Sequence, residues 1–359
     1  MKRSALTLIS TIVVAAGLAV GAAAPAAAQG VVVVKPGESI QDAVDNADPG
    51  TTILVRRGTY AENVAITTDG ITLRGLGATI VPPADPGPNA CSPDAPAADG
   101  ICAIGELEFP DPQGPPVVTD PVSDVTISGF TIEGFEANGI LFLGAENPVV
   151  TQNHMRDNVV YGIARFFSTG GRIVANEASG SELAGIYVGD SPDADVLILA
   201  NETFDNGEFG FFLRDAANGR LVGNRSHGNC VGAIVLNTGP NIAGDWHFTG
   251  NKISDNDAFC PGEDDNPPLS GIGVAIAGGA DNTLVGNIIR DNNPAQEVPF
   301  SGGVVVLDIG IPGANPPSGN VVRGNVILGN EPDIFWDGSG TGNVFRANLC
   351  RTSVPDGLC

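Results

Sequence analysis

RLVGNRSHGN at residues 220–229 returns as TLVGNIIRDN at 283–292: an apolar pair, a Gly-Asn step and a second Asn five residues on. The same phrase appears as VVTQNHMRDN (149–158), RIVANEASG (172–180), LILANETFDN (197–206), HFTGNKISDN (247–256), VVRGNVILGN (321–330) and VFRANLC (344–350). Its anchoring residues are Asn153, Asn176, Asn201, Asn224, Asn251, Asn287, Asn325 and Asn348. They are spaced by 23, 25, 23, 27, 36, 38 and 23 residues, a base period near 23 with extra length in three intervals.

A second phrase recurs between the anchors: NGILFLG (138–144), YGIARFF (161–167), AGIYVGD (184–190), FGFFLRD (209–215), VGAIVLN (231–237), IGVAIAG (272–278) and GGVVVLD (302–308). Each unit is thus a run of short strands broken by polar turns, with no apolar pattern of helical length. Such a unit cannot bury its apolar face alone, so units must stack, each strand pairing in parallel with its copy one turn away. Stacking in register sets Asn on Asn. At a tight turn Asn tolerates left-handed backbone and its side-chain amide can bond along the stack, so the eight anchors are expected to form a structural ladder.

TTILVRRGTY (51–60), NVAITTDGITLRGLGATI (63–80) and SDVTISGFTIEGF (123–135) fit the same scheme as the first turns. Before them, SIQDAVDNADPG (39–50) opens on a Ser N-cap, carries Ile40, Ala43, Val44 and Ala47 at helical spacing and ends at Pro-Gly. It reads as a short amphipathic helix covering the first coil. Residues 82–122 break the pattern with Pro, Asp and two cysteines, and read as a long loop closed by a disulfide. About ten coils at roughly 4.8 Å each make a rod on the order of 50 Å long.

Residues 1–28 have the layout of a secretory signal peptide: Lys2 and Arg3, an Ala/Val/Leu stretch and an Ala-x-Ala ending before Gln29. The repeat domain is then 29–359, and nothing later is long and apolar enough to span a bilayer. Removing Lys2 and Arg3 takes the formal net charge of −24 to −26. That surface repels nucleic acid and anionic membranes, and suits neutral partners or contacts bridged by divalent cations. Cys91, Cys102, Cys230, Cys260, Cys350 and Cys359 are even in number in a chain expected to be exported, which suggests disulfides. Nearest-neighbour pairs (91 with 102, 230 with 260, 350 with 359) each close a loop or the tail. No CxxC occurs, and His154, His227 and His247 show no ligand spacing.

The opening SIQDAVDNADPGTTILVRRGTY, followed by N-x-I and G-I repeats, resembles the right-handed parallel β-helix superfamily, which includes pectate lyases, polygalacturonases, mannuronan epimerases and NosD-like proteins. The resemblance covers essentially all of 31–359 and implies an all-β, single-stranded solenoid. It does not fix an activity, because repeats answer to stacking. The hydrolases' Asn-Thr-Asp becomes NTG at 237–239, their Gly-His-Gly is reduced to HG at 227–228, and their Arg-Ile-Lys becomes Arg172-Ile173-Val174. The epimerases' Asp-Pro-His is absent and the lyase motif is not recognisable. Copper-site maturation, associated with NosD-like proteins, lacks soft ligands here: Met155 is the one methionine after the signal.

Register supplies one local lead. Aligned on its glycine, the second phrase sets Asp190, Asp215, Asn237 and Asp308 at equivalent positions just past the strand, Asp337 following less regularly and Arg214 preceding Asp215. Asp190 and Asp215, in consecutive coils, could share a proton, hold Ca²⁺ or serve a retaining glycoside hydrolysis. With Arg214 near a C5 proton they could serve a lyase or epimerase. Asp also simply suits exposed turns. Strand alternation puts Tyr187 and Phe212 on one face beside these acids, where they could stack on a sugar unless loops 256–270 or 291–301 cover them. Arg165 falls where other coils have Val, Leu or Ile, which marks it as buried with a partner or functional. NET (201–203) and NRS (224–226) match the glycosylation sequon at ladder residues, and PGEDDNPP (261–268) is an acidic loop. The sequence therefore supports a non-catalytic exported protein that binds extracellular or cell-surface polysaccharide and needs no cofactor. The alternative is a polysaccharide lyase, epimerase or glycoside hydrolase with Asp190, Arg214 and Asp215 as catalytic groups, and Tyr187, Phe212, Asn237 and Asp308 contacting substrate.

Overall fold

The computed structural model describes residues 30–359 except 112–113, 241 and 263–266. The signal segment and the centre of the acidic loop at 261–268 lie outside the described residues. Each coil contributes three parallel strands. Arg172–Val174 and Glu177–Ser179 flank an Asn turn and join a 19-stranded sheet, and Ala184–Ser191 joins an 11-stranded sheet. Register is continuous from coil to coil: Ile173 pairs with Ile198, which pairs with Leu221. The chain is therefore a right-handed parallel β-helix, and its core is the interior of the coil. Ile163, Ile186, Phe211, Val274, Val304 and Ile334 point inward, all at 1 % exposure or less.

All eight anchor asparagines form one ladder. Asn201 shows the unit: its backbone N and its Nδ2 both donate to Asn224 Oδ1, at 2.9 and 3.0 Å, while Nδ2 also donates to Ile173 O at 2.8 Å. The backbone differs from the expectation in one respect. The left-handed residue is the one before each Asn, as in Gln152, Ala175, Ala200, Gly223 and Gly250, each with φ between 53° and 64°. The Asn is then free to turn its amide inward. Two further ladders exist that the eight anchors do not include. Asn206, Asn229, Asn256, Asn292 and Asn330 sit five residues after the first set, and Asn282, Asn320 and Asn343 at the opposite corner. The sequons at Asn201 and Asn224 are spent on the first ladder, each 1 % exposed.

The helix forms at Ile40–Asp45 with Ser39 as N-cap, and seats Ile40 and Val44 on the first coil. A second cap supports it: the Glu62 carboxylate accepts from Ser39 Oγ, Ile40 N and Gln41 N at 2.9–3.0 Å. All three expected disulfides are present. The reading of 82–122 as a loop needs correction. Cys91–Cys102 does close a loop, but Ile101–Ile104 is a strand of the 11-stranded sheet, in register with Val64–Ile66 and with Ile140 to Leu143. Its apolar Ile-Cys-Ala-Ile fills a coil position, and the Pro-rich residues on both sides hid it.

Arg165 is buried but has no carboxylate partner. It occupies the inward column between Phe142 and Val188. There Nη1 donates to Gly170 O at 2.8 Å and Nη2 to Ala194 O at 3.5 Å, while Nε has no partner among the described residues. Burial pulls its pKa down to about 9.

Candidate functional site

Around the strand ends of the 11-stranded sheet runs a column that reads Gly144, Phe167, Asp190, Asp215, Asn237 from coil to coil. Gly144, Phe167, Asp190 and Asp215 all have left-handed backbone, at φ of 49° to 63°. At Asp190 and Asp215 that conformation kinks the strand without ending it, so the two acids lie within the strands and not just past them: Ser191 pairs with Ala216 one residue on, and Asp tolerates the kink better than most residues. The expected alignment of Asp190 with Asp215 in consecutive coils is therefore present, one strand spacing apart.

The two acids have different surroundings. Asp215 is 5 % exposed and fully engaged. Its Oδ1 accepts from Thr238 N at 2.7 Å, its Oδ2 accepts from Thr238 Oγ1, and Arg214 Nε lies 3.4 Å away. Asp190 is half-buried with no hydrogen-bonding side chain of its own. Burial raises its pKa above the ordinary carboxylate value; the charge on Asp215 adds to the rise and Arg214 opposes it. Asp190 and Asp215 together border a cavity of about 470 Å³ whose walls include Pro116, Phe167, Pro192 and Ile242.

Three expected site residues are placed otherwise. Tyr187 is 1 % exposed, stacked on Tyr161 at 4.4 Å and in edge contact with Phe212 at 5.1 Å. Its ring lies along the strand over Gly189, where a Cβ would overlap it, so it is packed between neighbouring coils and offers no face to a sugar. Burial raises the Tyr187 and Tyr161 hydroxyl pKa values, that of Tyr161 to about 12. Asn237 is buried, its Oδ1 accepting from Ile242 N and Ala243 N, and it shapes the loop beside the cavity instead of facing a ligand. Asp308 is exposed three coils from Asp215 and accepts from Gly310 N, so the structure does not bring it to the pair. Phe212 remains partly exposed at the edge of the aromatic cluster. Further along the same face, residues of both expected loops, Ala258, Leu269 and Phe300, cover Ile234, Ala275 and Val305.

Sequence reading missed Thr238, the main partner of Asp215, because it belongs to a loop one coil on. It also missed Pro116 and Ile242, because insertions carry no repeat. Calcium requires about six to eight oxygen ligands. The pair does not meet that need, since Thr238 and Arg214 already occupy Asp215. No group of three or more His, Cys, Asp or Glu side chains able to hold a metal ion occurs among the described residues.

The family model for a right handed beta helix region matches residues 98–245. Among solved structures, the A-module of the mannuronan C-5 epimerase AlgE6 from Azotobacter vinelandii is similar at a TM-score of 0.62 and 16 % identity, over 87 % of this chain and 89 % of that one. The AlgE4 A-module of the same organism gives 0.57 and 16 %, over 88 % of each. XylC, solved in complex with xylose, gives 0.53 and 11 %, over 88 % of this chain and 70 % of that one. No curated protein matches the chain in sequence. At these identities the likeness is one of fold. Repeat, ladders and three-strand coils together give this chain the right-handed parallel β-helix fold that these structures share.

Proposed function

We propose that this is an exported, non-catalytic glycan-binding protein that takes a neutral sugar unit of an extracellular polysaccharide into the cavity beside Asp190. The observation that carries the reading is the cavity itself. An apolar wall of Phe167, Pro192 and Ile242 faces a half-buried carboxyl group. A pyranose presents the complementary pair, a C–H face for the wall and hydroxyls for the acid. Three disulfides suit an oxidising compartment, and structural neighbours whose names record mannuronan epimerisation and bound xylose support a glycan as the ligand class.

The locked state of Asp215 favours binding over catalysis. A nucleophile or base must be reached by its substrate, and Asp215 is 5 % exposed with each carboxylate oxygen already bonded to Thr238. One observation favours the enzymatic alternative: Asp190, with its pKa raised, is suited to act as a general acid beside a second carboxylate. Affinity electrophoresis through neutral and acidic polysaccharides, with product assays run in parallel, separates the two. The binding reading expects retardation by a neutral polymer, weakened about fivefold in Asp190→Asn by loss of a charged hydrogen bond, and no turnover. Turnover abolished by that substitution would establish the enzyme, and absence of retardation by every neutral polymer would refute the pocket as a sugar site.

A further inference from the structure

Basic side chains are scarce in this acidic chain and unevenly placed. Residues 30–359 contain 15 of them, the 17 of the full sequence less Lys2 and Arg3, against 41 acidic ones. The strands of the 19-stranded sheet carry eleven of the 15 and only three acids, Glu133, Glu177 and Glu202. All three histidines lie on the same strands.

Register turns this bias into rows. Arg172, Leu197, Arg220 and His247 succeed one another on the strand before the Asn turn. His154, Glu177, Glu202, Arg225 and Lys252 do so on the strand after it. Glu177 is shared by His154 and Arg156 at 3.6 and 3.5 Å, and Glu202 by Arg225 and His227 at 3.6 and 3.2 Å. Arg172, Arg220 and Lys252 are exposed and have no ion-pair partner among the described residues. Between the rows stand the half-buried Val174, Leu199 and Val222, the exposed Thr249 and the corner residues Gln152, Ala175, Ala200, Gly223 and Gly250, none of them charged. Arg172 also borders an open cavity of about 490 Å³ with Asp124, Thr126 and Asn147.

We propose that this face is a second glycan surface, separate from the Asp190 cavity, and that its ligand is a carboxylated polysaccharide lying along the solenoid axis. Charge complementarity selects an anion, because this is the one sheet where cations outnumber acids. Screening over about 10 Å lets a chain on this face respond to the local cations more than to the distant acidic surface. Asp157, Asp205 and Asp255 in the following turn border the strip and confine an anionic polymer to it. Spacing selects the polymer. Successive coils advance by about 4.8 Å, close to the advance of one 1→4-linked pyranose unit in an extended chain, so the two-coil step from Arg172 to Arg220 matches alternate uronates.

The test is retention of the full exported chain on immobilised polygalacturonate, dextran and single-stranded DNA, in EDTA at about 0.1 M ionic strength. The proposal expects retention on polygalacturonate, lost on adding salt. It expects about tenfold weaker retention for Arg172→Gln/Arg220→Gln/Lys252→Gln, whose exposed positions leave the melting temperature unchanged. Asp190→Asn should be retained like the parent, which separates this face from the pocket: either can fail while the other stands. Unchanged retention of the triple variant, stronger retention on DNA than on polygalacturonate, or no retention of the parent would overturn the proposal.

Discussion

Asp190 and Asp215 show how far one coil position can diverge when the neighbours change. Both kink a strand in left-handed backbone, yet Thr238 stabilises one carboxylate while burial disfavours the other. Because the folded chain raises the Asp190 pKa, its favourable contribution is full below the unfolded carboxylate value and is lost as pH rises through the folded value. Asp190→Asn is therefore expected to raise the melting temperature at neutral pH and to leave it unchanged near pH 3, about where the acid is protonated in both states; calorimetry at the two pH values reads this directly. Asn224→Ala tests the ladder. It leaves the N and Nδ2 of Asn201 without an acceptor and removes one of the two donors to Asn251 Oδ1, so a loss of about 2–4 kcal/mol in denaturant unfolding is expected. At this scale the sequence was legible where a residue repeats. The anchors and the Asp190–Asp215 alignment follow from position in the period, and the disulfide partners from nearest-neighbour loop closure. Tyr187 and Asn237 were misread because the period gives the side of the strand and not what packs on it.

Elements were legible in proportion to their regularity. The N-terminal helix could be placed from its cap and spacing alone, although Glu62, which caps it from just past the strand Thr52–Ala61, is remote in sequence. Ile101–Ile104 escaped because four residues between Pro-rich flanks are too few to show alternation. The 256–270 segment is an insertion that serves the element beneath it. Cys230–Cys260 ties it down, and Ala258 and Leu269 roof Ile234 and Ala275. The double substitution Cys230→Ser/Cys260→Ser is expected to lower stability by about 2–4 kcal/mol. It should also create a proteolytic site within 256–270, and mass spectrometry of limited digests would locate the cut. A resistant loop with unaltered melting would show that the apolar contacts suffice without the bond.

At the scale of the whole molecule, charge is the property that stacking leaves free. A formal net charge of −26 over residues 30–359, on a rod only a few strands across, implies self-repulsion between coils. Added monovalent salt is therefore expected to raise the melting temperature over the first few tenths molar, and a flat or falling response would show that the acids are already compensated locally. The fold was legible in the sequence because a solenoid writes its geometry into a period. The site was not, since loops of different coils meet there only after folding. The pairing register has a further consequence. Each ladder bond joins residues 23 to 38 positions apart, whatever the total length. The search for a partner thus never lengthens as the chain grows, and each finished coil offers the next a complete row of donors and acceptors. Such a chain can assemble in order from one end, one coil at a time.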